Sequence, residues 1–244
     1  MNVTCKNCHH TFKGHFCSNC GQSAETHKLD IHFVWHDIQH GLLHFDKGIL
    51  YTAKQLFTKP GHSIRDFIEG KRIHHFKPIS LVLILATLYG FLYHYFHIDL
   101  TRTFSDGNVS ETAIDIKGFN EWQATHFAWI TLATIPLYTF GTSIAFRKQG
   151  YNFVEYFILN TFKASQRLLF HITIFPFYYY FNETPTMKTI SVSVYIIDVL
   201  LIFWTNKQFF NTLSAQKTFY LTLLSQALFL ACFLTILTLV VLIM

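Results

Sequence analysis

From residue 79 to residue 244 the chain is a succession of long apolar runs parted by short polar breaks, and that pattern leaves few ways to fold. Five runs, 79–96, 127–146, 156–181, 187–204 and 219–244, approach or exceed the ~20 apolar residues that cross a hydrocarbon layer. Lipid offers no hydrogen bonds, so each run must satisfy its own backbone as a helix. Pro136 and Gly141 fall inside the second run and are tolerated there. The expected fold is an all-α integral membrane bundle of about five transmembrane helices. Runs three and four carry ionisable groups, so a helix pair that enters and returns is the alternative for those two. Composition agrees: 51% of the chain is hydrophobic, 27 residues are Phe and 14% are charged, which is low for a soluble domain.

Residues 1–78 are different in kind, polar and basic. Three regions are therefore expected: a cysteine head at 1–27, a juxtamembrane stretch at 28–78 and a membrane domain at 79–244. No signal peptide is expected, since Met1 leads directly into polar sequence. With the head in the cytosol, sixteen of the 19 Lys and Arg fall on the inner side or near it. The segment 98–126 carries Asp99, Asp106, Glu111, Asp115 and Glu121 and is assigned outside. This positive-inside bias places the N-terminus in the cytosol and, after five crossings, the C-terminus outside.

In the head, Cys5-Lys6-Asn7-Cys8 and Cys17-Ser18-Asn19-Cys20 are two C-x2-C pairs separated by eight residues. Such a pair brings two sulfurs to one ion, and four thiolates close a tetrahedral shell. The expected cofactor is one structural Zn2+ held by Cys5, Cys8, Cys17 and Cys20. Two disulfides or a redox dithiol are the alternatives, the first disfavoured in a reducing cytosol. Gly21 suits the turn after the second pair, and Phe12 and Phe16 are candidates to cover the site. The stretch Phe16-Cys17-Ser18-Asn19-Cys20-Gly21 resembles the minimal zinc ribbon. Its basic residues are only Lys6 and Lys13, so nucleic acid is not an expected partner.

Beyond the head, His32, His36, His40 and His44 recur every fourth residue opposite an apolar helical face. Each step drifts about 40° around a helix, so neighbouring pairs among His36, His40 and His44 could share a metal ion while all could not. A solvated histidine face is the alternative. Ile49, Leu50, Ala53, Leu56 and Phe57 then give an amphipathic helix over 47–57. Lys59-Pro60-Gly61 reads as a tight turn. Ser63 and Asp66 read as the capping box of a short helix ended by Gly70. Both helices are expected at the membrane surface, with Lys71, Arg72 and Lys77 at headgroups and Pro78 opening the first span.

Asp46-Lys47-Gly48, Lys59-Pro60-Gly61, Ile64-Arg65, Glu69-Gly70-Lys71-Arg72 and Pro78 together resemble the signature of a bacterial membrane-protein family, domain of unknown function 3667. The resemblance covers about 35 residues and implies an N-terminal zinc ribbon, several spans and a bacterial cytoplasmic (inner) membrane. Lys47 and Lys59 stand where such families usually carry Arg, and an ammonium does not reproduce a bidentate guanidinium. No reaction follows from it.

Within the spans, Lys163, Arg167 and His171 form one stripe at i, i+4, i+8, and Asp198 lies at matching depth in the next run. An unpaired charge in lipid is costly, so Asp198 is expected to pair with His171 or Arg167, and Lys163 to snorkel to the cytosolic interface. The cluster reads either as a lock between helices or as a polar cavity for a proton, an ion or a lipid headgroup. Cys232 reads as a small core residue. Three functions remain open: a scaffold or regulator docking a protein partner at the cytosolic face; a small transporter or lipid-handling protein using spans three and four; an intramembrane enzyme using the histidine face. No H-E-x-x-H, Ser-His-Asp order or phosphate loop is present, so no catalytic residue is assigned. Membrane lipids are expected partners in every case.

Overall fold

The computed structural model describes residues 2–26, 29–31, 33–34, 48–98, 116–182 and 184–243. The histidine ladder, His32, His36, His40 and His44, lies outside the described residues, as do residues 99–115 of the acidic segment. The described chain is mostly helical, with one two-stranded hairpin in the head: β1 (Val3–Thr4) antiparallel to β2 (Thr11–Phe12).

Two short helices follow, α1 (Gly48–Thr58) and α2 (Pro60–Glu69). Here the sequence expectation needs correction. Pro60 and Gly61 do not form a free-standing turn; they are the first residues of α2, with Lys59 as an N-cap that makes no side-chain cap bond. Proline loses nothing at N1, where its missing N–H would have been unpaired anyway. Ser63 is therefore inside the helix, and its Oγ lies 2.8 Å from His75 Nε2 instead of capping. Gly61 is there for contact: a Cβ on it would come within 2.3 Å of the Phe209 backbone nitrogen. Gly70 ends α2 in the left-handed region at φ 103°.

The bundle comprises α3 (Pro78–Tyr95), α4 (Ile116–Thr125), α5 (Phe127–Ala145), α6 (Phe153–Tyr180), α7 (Thr186–Phe209) and α8 (Ala215–Ile243), with a 3-10 turn at Arg147–Gln149. Among the described residues, four helices are long and apolar enough to cross a membrane: α3, α5, α7 and α8 up to Leu239. They point to a membrane protein. The hydrocarbon core is ~30 Å thick, and 18 residues of helix rise about 27 Å. Much of the surface of α7 and α8 is exposed Leu, Ile, Val and Tyr, such as Ile196, Leu200, Leu234 and Leu237. Bilayer contact accounts for that; water does not.

The fifth long helix, α6, is central and packs on α1, α2, α3, α5 and α7. Asn152 and Glu155 start it with a reciprocal capping box, three residues before the expected start of the run. At one end of the bundle Tyr156 Oη donates to Phe146 O at 2.6 Å, and Phe146 stacks on Phe210 at 4.1 Å. The end of α5, the start of α6 and the end of α7 are therefore neighbours. The junction is at this same end. Gly61 N–H donates to Gln208 Oε1, and Arg65 donates to the carbonyls of Gln208 and Phe209. Those carbonyls belong to the last turn of α7, where a cation also opposes the helix dipole. At the other end Asn182 Nδ2, just past α6, donates to His97 O, just past α3. The helix α6 thus runs the full length of the bundle.

Polar contacts also tie the head to the junction. Arg72 N–H donates to Gln22 Oε1 at 3.0 Å, and Lys6 runs over Gly70 to reach Thr26 O. Lys71 and Arg72, expected at headgroups from the sequence, have partners within the protein. Lys71 pairs with Asp66 at 2.6 Å, which raises the lysine pKa, and the Arg72 guanidinium lies 4.9 Å and 5.3 Å from the Phe33 and Phe67 ring centres.

Candidate functional site

Two groups of side chains carry chemistry. The first is in the head. Cys5, Cys8, Cys17 and Cys20 are all unbridged, and their sulfurs lie within 4.8 Å of one another. Cys5 and Cys20 sulfurs are 3.5 Å apart, Cys8 and Cys17 sulfurs 3.6 Å. Four sulfurs at ~2.3 Å from one ion stand about 3.8 Å apart, so the cluster could hold a metal ion with small adjustment. Each C-x2-C segment folds alike. Cys5 N–H donates to His10 O and His9 N–H to Cys5 O; Cys17 N–H donates to Gln22 O and Gly21 N–H to Cys17 O. The residue after each second cysteine has positive φ, 59° at His9 and 77° at Gly21. Only the glycine announced that turn in the sequence. Phe12 is buried beside the sulfurs as expected, but Phe16 is 67% exposed and does not cover them. Burial pushes the Cys5 thiol up, while hydrogen bonds from Asn19 and the His10 backbone hold Cys8 down at about 6. A bound dication would outweigh both effects and hold all four as thiolates.

The second group lies midway along α6. Arg167 Nη2 is 2.8 Å from Asp198 Oδ2, and His171 Nε2 is 3.1 Å from both carboxylate oxygens. Asp198, on α7, is 2% exposed. The structure therefore brings both expected partners to one carboxylate at once. Lys163 departs from expectation: it is 4% exposed and its Nζ turns inward to Asn206 Oδ1 at 3.3 Å rather than outward to the interface. Asn206 supplies an acceptor at bundle depth, which removes the need to snorkel. No carboxylate among the described residues pairs with Lys163. Arg167 Nε is buried with no hydrogen-bond partner among them.

Sequence reading missed the amides and hydroxyls that frame this cluster. Gln166 Nε2 donates to Leu56 O of α1, and Thr205 Oγ1 donates to Gln166 Oε1. Asn206 Nδ2 donates to Thr222 Oγ1 of α8, and Thr142 Oγ1 to Asn160 Oδ1. Their signal was an amide within an otherwise apolar helix, which in a membrane must find a partner.

Between the α5/α8 pair and the α6/α7 pair lies a chamber of about 420 Å³. Lys163, Arg167 and His171 line its α6 wall; Thr131, Thr134 and Tyr138 of α5 face it with hydroxyls, and Phe229 and Phe233 of α8 close it with rings. The pair α5/α8 is close because residue 141 is glycine: a Cβ there would approach Ser225 O to 2.6 Å. Tyr138 stacks on Phe229 at 3.6 Å. Asp198 is not in the lining; it holds Arg167 and His171 from behind. Cys232 of α8 is partly buried and free.

The framework is that of a membrane-type helical bundle with a small cysteine head. A family model described as Protein of unknown function (DUF3667) matches residues 46–90, which include α1, α2 and α3 as far as Gly90. The resemblance read from Asp46 to Pro78 is thereby shown for this segment. No curated protein and no solved structure matches the chain.

Proposed function

We propose that the chain is a multi-pass protein of a bacterial cytoplasmic membrane that binds and handles a small ligand in the chamber between α5, α6, α7 and α8, as a small transporter or lipid-handling protein. The observation that carries this reading is the chamber itself, with three basic side chains on one wall at bundle depth. A lock between helices needs a paired carboxylate but no space beside it. Lys163, 4% exposed and outside the Asp198 pair, sets a second basic side chain beside that space with only an amide oxygen as acceptor. Functional ionisable groups in membranes face such interiors.

In this reading the chain crosses five times. The helix α6 is less apolar than the other long helices because it carries Lys163, Arg167 and His171, but these side chains face the neighbouring helices and its length of 28 residues suffices. The head is a zinc ribbon at the cytosolic face, with a structural Zn2+ on Cys5, Cys8, Cys17 and Cys20 and the C-terminus outside. Its four cysteines leave no open position on the metal, so the ribbon is structural and not catalytic. The exposed Phe16 on the ribbon favours a second role beside the first, contact with a protein partner in the cytosol. No catalytic residue is assigned.

Introduced cysteines test the chamber, read against a Cys232→Ala parent that keeps the four head thiols. Reconstituted in bilayers, Thr134→Cys should react readily with a small polar methanethiosulfonate beyond the parent's reaction, because it lines a polar space. Leu237→Cys, on an exposed apolar face of α8, should react little. Equal and slow reaction at both positions would mean that the chamber is closed or dry, and would remove this reading.

A further inference from the structure

We infer that the chamber takes an amphiphile with an anionic oxygen headgroup, the headgroup held by Lys163 and Arg167 and the hydrocarbon part against the rings of α8. The inference rests on the chamber reading above and names its ligand.

The donors are in excess. Arg167 pairs with Asp198, whose oxygens are already shared with His171, and Lys163 has no carboxylate partner among the described residues. Lys163 has three donors and one acceptor among the described residues, the amide oxygen of Asn206 at 3.3 Å. Arg167 retains a buried Nε with no hydrogen-bond partner among the described residues. A buried surplus of cationic donors calls for an acceptor-rich anion, and an oxyanion is the chemistry that supplies several acceptors at one point. The successive residues 163 and 167 lie on one face of α6, one turn apart, at about 6 Å of rise. One tetrahedral or planar oxyanion can span that gap between two long side chains.

Size and the opposite wall select the remainder of the ligand. About 420 Å³ is far more than an inorganic ion occupies and less than two acyl chains fill, and the space is open on one side, so it would hold the headgroup and the first part of the chains. The rest of the lining is mixed: Ile130 and Ile135 of α5, Ile202 of α7 and Phe229 and Phe233 of α8 are apolar, beside the hydroxyls of Thr131, Thr134 and Tyr138 and the amide of Gln226. The lining continues from Asn160 to Gln123 and Phe127 at the opposite end of the bundle from the junction, so the long axis of the chamber follows the helices, as lipid chains do. Basic side chains on one wall, with rings and aliphatic side chains along the rest of a long space, match an acidic amphiphile better than a free anion.

The test uses full-length protein with its metal, purified in a mild nonionic detergent. Binding of dioleoyl phosphatidic acid, dioleoyl phosphatidylcholine and inorganic phosphate is measured by native mass spectrometry and by tryptophan fluorescence titration. Phosphatidic acid should bind at one site, with phosphatidylcholine about tenfold weaker or more, and inorganic phosphate at millimolar level should not displace it. Lys163→Gln keeps a hydrogen-bonding group for Asn206 and removes the charge. It should weaken phosphatidic acid binding about tenfold or more, the loss expected for a hydrogen bond to a charged group, with the melting temperature unchanged in detergent alone. Thr134→Phe, which fills the chamber without touching a charge, should abolish the same binding. Inorganic phosphate binding as tightly as the lipid would overturn the amphiphile and leave an ion site. Equal affinity for the two lipids, or wild-type affinity in both variants, would overturn the inference. A chamber that reacts at Thr134→Cys but binds no acidic lipid would overturn the ligand while sparing the chamber reading.

Discussion

Stripping the metal from purified protein should unfold the head and leave the bundle folded. The head has almost no core of its own: Cys5, Phe12 and Cys17 are its buried apolar residues, with Val3, Cys8, Cys20 and Ala24 around them. Two of those three buried residues are ligand candidates, and the strands are two residues each. A segment so small folds only with a staple. Zinc binding to such a site is worth about 10–16 kcal/mol at neutral pH, and that free energy is the folding energy of the head. Treatment with a strong chelator should therefore release about one zinc per chain, read by a metallochromic dye, and expose residues 2–26 to protease. Cys17→Ser should do the same without chelator. The helical circular dichroism should change little, since the bundle core lies elsewhere, around residues such as Phe162 and Val82. Protein that contains no zinc, or a head that stays protease-resistant after chelation, would contradict the assignment.

Asp198→Ala should be among the most damaging single changes in the bundle. It leaves Arg167 with no carboxylate and with Nε already unpartnered, and it takes the acceptor from His171. Removing one partner of a buried ion pair costs about 3–5 kcal/mol, because the remaining charge stays desolvated. Asp198→Asn should cost less, since an amide oxygen still accepts from Arg167. The double change Arg167→Met with Asp198→Leu should recover most of the stability lost by Asp198→Ala, because a fully apolar pair strands no charge. Unfolding in detergent at rising denaturant, read by helix content, measures all three. An Asp198→Ala variant within about 0.5 kcal/mol of the parent would show that the pair carries no structural load.

The sequence made some of this architecture legible because a bilayer reduces the problem to length and polarity. Runs 79–96, 127–146, 187–204 and 219–244 correspond to helices that are long and apolar enough to cross, with ends shifted by a few residues where caps rather than hydropathy decide. The α6 helix was legible only as a doubtful run, since a helix surrounded by others can afford polar residues that a lipid-facing one cannot. The junction was misread at Pro60-Gly61 because the same two residues suit a turn or a helix start. What decides between them is the close approach of Phe209, almost 150 residues away. Lys163 was misplaced for a related reason: without the fold, Asn206 is only another polar residue in another helix. The chamber had no sequence signature, because it is a space left where the α5/α8 pair, drawn together at Gly141, stands off from α6 and α7.

The sidedness of the α7–α8 loop tests the five-crossing chamber most directly. With the head inside, five crossings put Asn211 back in the cytosol; four crossings, by α3, α5, α7 and α8 without α6, put it outside. Asn211 is exposed. In a Cys232→Ala background, Asn211→Cys should resist a membrane-impermeant maleimide added to intact cells and react once the membrane is opened. Full labelling of Asn211→Cys in intact cells would contradict five crossings and remove Lys163, Arg167 and His171 from the membrane interior.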